Sequence, residues 1–547
     1  MRRVLKRPGG GPGATASGSS RTRGAQMLRH RSRAVLTGLV GLGLLASACG
    51  SSGSDDGTVA TFDEGLQAGV KEGLQATSTT TAAAAEFTSI EEWEELWAQE
   101  RAAIVERIKG NGWGTSADGA TLTGPEGYEV DLTTCPAGWS DTEGLTDTTI
   151  KIGHTAPMSG PLADVGNYMH VLNALLAHYN QNGGFPDSTG KARQAQLVMR
   201  DDAYDPARTI PLVDELIDSE KVFAVGTVGT PNQVRVFGKL NERCIPHPAI
   251  SGHNSVGDPV GHPWTTSSSI SYTSEALLIG QLVEERLDSE FGGDAKVAVL
   301  YFSNDFGTAF DQGFESFLAS SARGADIEYV TEVVEPAAVT MKDPMTTLAA
   351  EQPDVFVAAI AGAACTQVIT EAAENGMNEQ VPYRILDSAC KVPVRPAELG
   401  GAADGWYAVG GGYRDIMAAE NDDDPWMVFA RQVLADQGLD YKESSSFNSG
   451  FFYSWPWIQA LLIAGELDGG LTRANFNLAF RALDMTHPHL YPGVQFNMDG
   501  GKDAFFVEGS DITRWDEAAQ TWQLITVVDV SGRTKPCHWD PTANACS

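Results

Sequence analysis

Gly229, Thr230 and Pro231 are the residues of this chain best suited to hold a small anionic group. Glycine leaves the backbone open, threonine adds a hydroxyl, and proline suits the first turn of a helix, whose free N–H groups then converge on one point. Such a helix start takes a carboxylate without a counter-charge. The Thr230 hydroxyl could also serve as a plain N-cap. A second turn of this kind holds Pro157, Ser159, Gly160 and Pro161, after the apolar pattern of Ile150 and Ile152 and before a long helix. Catalytic chemistry has no comparable support. The sequence has no G-x-S-x-G elbow, Walker A loop or H-E-x-x-H pair, and no cysteine has a catalytic neighbour. His247, His253 and His262 lie close together on a Gly/Pro-rich stretch without metal-ligand spacing and read as surface loop histidines. These residues describe a binder without metal or cofactor, not an enzyme.

The elements that must position them begin at about Thr148. From there strand patterns alternate with helical ones, the mark of mostly parallel sheets covered by helices on both faces. Strands are predicted at 150–153, 195–200, 222–225 and 246–250, with helices between them. The cycle restarts with a helix from Ser274, strands at 296–301, 327–334, 355–360 and 383–386, and helices between these. In open sheets of this class ligands bind beyond the carboxyl ends of the strands, where both candidate turns fall. Two runs of similar size, 148–270 and 271–405, predict two lobes of one plan. The aromatic stretch from Phe447 to Gly465 reads as helix core rather than a ligand-stacking surface.

Composition fits an exported globular chain. Its 547 residues are 42% hydrophobic, and the formal charge is −33. The first 48 residues carry nine basic residues and no acid, so the remaining 29 basic and 71 acidic residues give −42. A surface this acidic repels phosphate backbones, which excludes nucleic acid as a partner. Residues 1–48 read as a leader and signal. Met27 starts a short basic segment, 34–46 is apolar but shorter than the roughly 20 residues a spanning helix needs, and Ala46-Ser47-Ala48 leads to Cys49. Met27 could itself be the true start. A cysteine in that position resembles a bacterial lipobox, in which the thiol of Cys49 carries lipid and tethers the protein to the outer face of the cell membrane. Residues 49–88 read as a flexible tether of Ser, Gly, Thr and Ala. Within 89–147, Trp93, Leu96, Trp97, Ile104 and Ile108 predict an amphipathic helix with Ser89 as N-cap and Glu92 three residues on, docked on the chain's own body. A Gly-rich collar follows. The other six cysteines, Cys135, Cys244, Cys365, Cys390, Cys537 and Cys546, are even in number and fit disulfides. Cys365 and Cys390 fall just beyond neighbouring strands of one lobe and are expected to pair. Cys537 could join Cys546, or one of them could reach Cys135, which leaves Cys244 without a clear mate.

Five motifs in order carry a family resemblance: IKIGHTAPMSGPLADVG (150–166), HYNQNGGF (178–185), DDAYDP (201–206), VFAVGTVGT (222–230) and YFSNDFG (301–307). With FNMDGGKDAFF (496–506), they resemble the type I periplasmic binding proteins of ABC importers, nearest the branched-chain amino acid-binding (leucine-binding) branch. The likeness runs from about 148 to 530. It implies an α/β fold of the periplasmic binding protein-like I class, two doubly wound parallel-sheet lobes with a hinge. Lobe 1 would be 148–270 and 406–488, lobe 2 would be 271–405 and 489–530, an N-terminal helical and irregular extension would precede them, and 531–547 would be a tail. It also implies a small polar solute, amino acid-like or another carboxylate or amide, captured by hinge closure and delivered to an ABC permease. A ligand-sensing receptor module of the same fold is the alternative. Matching positions put ligand contacts at Thr230, Ala249 and Ser251 in the first lobe and Phe306 in the second, and the first strand-to-helix turn puts Ser159 near the cleft mouth as a further contact. Asp387 is the one acid placed to replace the family's ammonium partner. If it does not, the ligand is not a free α-amino acid.

Overall fold

The computed structural model describes Phe62, 64–75, 87–391, Val394, 396–502, 505–540, Thr542 and 545–546. The signal segment and Cys49 lie outside the described residues. Two helices precede the lobes. α1 (Glu64–Gln75) falls inside the stretch expected to be a tether, and it buries Leu66 and Val70. Gly73 lets it approach closely, since a Cβ there would sit 2.7 Å from a Val528 methyl. Lys71 pairs with Glu285 at 3.1 Å. α2 (Ile90–Asn111) starts at Ser89, whose hydroxyl accepts the Glu92 N–H, and ends at Gly112 with φ 68°. Its Trp97 is fully buried against Trp426 and Trp455, with ring centroids 5.9 and 5.5 Å away. The collar is a small antiparallel sheet of β1 (Gly114–Thr115), β2 (Thr121–Thr123) and β3 (Glu129–Asp131).

The first lobe holds a six-stranded sheet. Its strands are β4 (Thr149–Ala156), β5 (Phe185–Pro186), β6 (Ala192–Asp201), β7 (Ala224–Val228), β8 (His247–Ile250) and β9 (Thr265–Ser267), in the order β5-β6-β4-β7-β8-β9. All pairings are parallel except β5 with β6. Every residue of β7 is buried, as expected for a strand covered on both faces. α3 (Asn167–Gln181), α4 (Pro206–Asp214) and α5 (Thr230–Glu242) connect these strands.

The second lobe opens with α6 (Tyr272–Glu284) and builds on β10 (Ala295–Phe302), β11 (Ile327–Val334), β12 (Val355–Ala359) and β13 (Tyr383–Leu386). Between these strands lie α7 (Asp305–Ser320), α8 (Lys342–Ala350) and α9 (Ala363–Glu374), and α10 (Ser388–Lys391) follows them. β14 (Tyr407–Val409) pairs in parallel with β13, so the chain crosses back to lobe 1 after 409 and not at 406. Then α11 (Pro425–Asp436), α12 (Ser446–Glu466) and α13 (Arg473–Arg481) return to the first lobe. α12 buries Phe451, Phe452, Trp455 and Trp457, in line with the helix-core reading. Leu490, Phe496, Met498 and Phe506 also pack in the first-lobe core, which moves the last crossing from 489 to the start of β15 (Gly509–Asp516). β15 and β16 (Thr521–Asp529) complete the second sheet, β11-β10-β12-β13-β14-β15-β16, with antiparallel pairings.

Three disulfides close the described body: Cys135–Cys244, Cys365–Cys390 and Cys537–Cys546. The second is the expected pair. Cys244, expected to lack a mate, joins the collar to lobe 1, because the collar folds back over the end of α5; the Trp139 indole donates to the Cys244 carbonyl at 2.9 Å. The histidine reading is also corrected. His247 and His253 are buried, His247 between the Thr227 and Thr265 hydroxyls, because β8 is interior to the sheet. Among the described residues no helix is long and apolar enough to cross a membrane.

Candidate functional site

The parallel ladder sets the site. Val228 pairs with Ile250, so the residues that follow β7 and β8 emerge side by side at the carboxyl edge of the sheet. Gly229, with φ 94°, turns the chain into α5, and a Cβ there would lie 2.3 Å from the Tyr204 ring. Thr230 comes next. Its hydroxyl lies 2.9 Å from the Ser251 hydroxyl and 2.9 Å from the Tyr272 hydroxyl. Three neutral hydroxyls from β7, β8 and the first interlobe crossing thus meet at a helix N-terminus, a group that can donate to or accept from a ligand oxygen.

Beside this cluster a cavity of about 80 Å³ lies between the lobes. Its wall is built from Tyr168, Tyr204, Tyr272, Tyr413, Tyr453 and Phe306, with aliphatic side chains, Ser269 and Ser388 between them. None of the described wall residues carries a formal charge. The lobes meet around it. A Cβ on Gly362 of lobe 2 would lie 2.6 Å from Leu162 of lobe 1, and Arg235 of α5 lies 3.6 Å from Asp305 of α7. Phe306 is held at the start of α7 by the Asn304 side chain, which accepts its N–H at 3.1 Å, and its ring packs 4.8 Å from Tyr272.

The other expected residues sit elsewhere. Ser159 is exposed outside the cavity wall, its hydroxyl turned to the Asp201 carboxylate. Ala249 is inside the β7–β8–β9 ladder, opposite Thr227 and Ser267. Asp387 is fully buried behind the wall, at the end of β13. One of its oxygens accepts the Cys390 N–H at 3.1 Å and the other has no hydrogen-bond partner among the described residues. Burial and the nearby Glu275 carboxyl push its pKa well above the usual range. Glu275, on α6, is itself buried and pushed up to about 8, although it accepts the Ser388 N–H and, at 3.1 Å, the Ser388 hydroxyl. Burial thus holds both carboxyls above the usual carboxylate range, and Glu275 supports Ser388 from behind.

Sequence reasoning missed the tyrosines. Tyr204 left a signal, since it stands in DDAYDP. Ala203 and Tyr204 have φ of 52° and 63°, a left-handed backbone that non-glycine residues adopt at a cost of about 1–3 kcal/mol each. Two side chains hold it, with Asp201 accepting the Ala203 N–H and Asp202 the Tyr204 N–H, each at 2.9 Å. Close to the wall, Lys391 of α10 reaches the interlobe crossings. Its ammonium donates to Asp511 at 2.5 Å and to the Tyr413 carbonyl at 2.9 Å.

The family model described as periplasmic binding protein matches residues 149–519. No curated protein matches the sequence. Solved structures match in fold. A fatty acid ABC transporter substrate-binding protein from Thermomonospora curvata aligns at TM-score 0.58 and 19% identity, over 73% of this chain and 97% of the other. A branched chain amino acid ABC transporter protein from Thermus thermophilus with bound valine gives 0.58 and 18%, over 71% and 98%. A solute binding protein of an ABC transporter from Rhodopseudomonas palustris BisB5, in complex with 3,4-dihydroxy benzoic acid, gives 0.56 and 18%, over 71% and 100%.

Proposed function

Because the chain belongs to the periplasmic binding protein family, we propose that it is a lipid-anchored, extracytoplasmic solute receptor of an ABC importer, tethered through Cys49 and without enzymatic activity. The observation that carries this reading is the cavity between two lobes, at the carboxyl ends of both sheets. The solute first engages lobe 1 at Gly229, Thr230 and Ser251, where a carboxylate or hydroxyl oxygen meets the start of α5. Closure about the crossings near Ser271, Gly410 and Gly509 then brings Phe306 and Ser388 over it. The closed form is the one a permease would recognise. Closure needs a solute with higher affinity for the closed state than for the open one. Native mass spectrometry of freshly purified protein, with small-angle scattering before and after the solute is removed, tests this. The expected result is a bound small molecule whose removal expands the protein and whose return compacts it. A protein that carries no solute and keeps its dimensions with every extract added would refute the reading.

A further inference from the structure

We propose that the solute is a single aromatic ring bearing hydroxyl or carboxylate groups and no cationic group, so that free α-amino acids are excluded. This deepens the solute-receptor reading and rests on it. Six aromatic side chains line the cavity, drawn from α3, the turn before α4, both ends of the hinge, the start of α7 and α12. Their faces and edges offer flat, apolar walls of ring size: Tyr168 and Tyr453 lie 5.3 Å apart, Tyr272 and Phe306 4.8 Å. The volume corresponds to about six waters, the space of one ring with its substituents rather than of a long chain. All polar groups on the wall are hydroxyls or backbone, which suit phenolic and carboxylate oxygens.

An ammonium group has no carboxylate partner among the described residues of the wall. Two buried acids, Glu275 and Asp387, stand behind Ser388 and are absent from the wall, and Glu275 is committed to the Ser388 N–H and hydroxyl. Enclosing an ammonium against tyrosine and aliphatic carbon would leave a buried charge unpaired. The strained backbone at Ala203 and Tyr204 points to ligand contact, because it fixes a ring over Gly229 where the anion-binding turn begins.

Calorimetry on the solute-free full chain tests this with four probes: benzoate, 3,4-dihydroxybenzoate, L-phenylalanine and L-valine. Benzoate or 3,4-dihydroxybenzoate is expected to bind at least 100-fold more tightly than phenylalanine, which has a ring and an ammonium, and valine is expected not to bind. Tyr204→Leu, checked for an unchanged circular dichroism spectrum, is expected to weaken the ring acids at least tenfold. Tyr204→Phe is expected to retain ring binding and serves if the leucine variant does not fold. Phenylalanine or valine binding as tightly as the ring acids, with compaction, would overturn the solute class and leave the receptor reading standing. Ring-acid affinity unchanged in Tyr204→Leu would overturn the role of the aromatic wall. If no probe binds and no co-purified solute closes the lobes, both readings fail.

Discussion

Lys391 is the buried charge on which the hinge depends. Burial alone would discharge it, but the Asp511 carboxylate raises its pKa and keeps it an ammonium. Asp511 in turn accepts the Gly412 N–H at 3.0 Å, so one ion pair ties lobe 2, through α10, to two of the interlobe crossings. Breaking a buried pair from one side costs about 3–5 kcal/mol, because the other charge stays behind. Lys391→Met is therefore expected to lower the urea midpoint by that equivalent, and Lys391→Met with Asp511→Leu to recover most of it. A single variant as stable as wild type would show that the pair is not holding the hinge. At this scale the sequence was legible where chemistry is local. Glycine, hydroxyl and proline at a helix start identify Thr230 from three adjacent residues. Tyr168, Tyr204, Tyr272, Tyr413 and Tyr453 share no spacing, and only the closing of two lobes makes them one wall.

Elements were legible where a period or a cap repeats. α2 declared itself through tryptophan and isoleucine at helical spacing and a serine cap, whereas α1 did not, because Gly65, Gly69 and Gly73 break its pattern. Gly69 and Gly73 serve contact, not flexibility, since they lie against Arg533 and Val528. The lobe boundaries moved because strands as short as Tyr407–Val409 give no periodic signal. α10 is only four residues long, yet it unites the site. Ser388 and Ala389 face the cavity, Cys390 is bonded to Cys365, and Lys391 reaches the hinge. A cross-link over a separation of 25 residues is worth about 3 kcal/mol through the unfolded chain. Cys365→Ala with Cys390→Ala is expected to lower the melting temperature by several degrees and also to weaken solute binding, as the turn under Ser388 loosens. Unchanged affinity in a destabilised double variant would separate the staple from the site.

Across the whole molecule, pH draws on two opposed sets of buried groups. Burial pushes His154 and His253 down to about 4 and His247 and His487 to about 3, and it holds His489 well below the usual range. In the unfolded chain these rings titrate near 6.5, so below that pH the unfolded state binds more protons and stability falls as the solution is acidified. Each ring can contribute a slope of up to about 1.4 kcal/mol per pH unit until its folded pKa is reached. The carboxyls run the other way. Glu275, raised to about 8, and Asp202, raised to about 6, are protonated in the folded protein at pH values where the unfolded chain has lost its protons. Their contribution improves as pH falls and is complete near 4, where the unfolded carboxyls are protonated too. Discharge of a chain with net charge −33 also favours the compact state over the same range. Acidification from pH 8 to about 5 is therefore partly compensated, and below about 4 the histidines act unopposed. Urea unfolding from pH 8 to 3 is expected to show a shallow upper limb and a steep collapse below about 4. His247→Asn, which removes the ring from between Thr227 and Thr265, should flatten the lower limb. A lower limb equally steep in that variant would mean that the collapse comes from other groups.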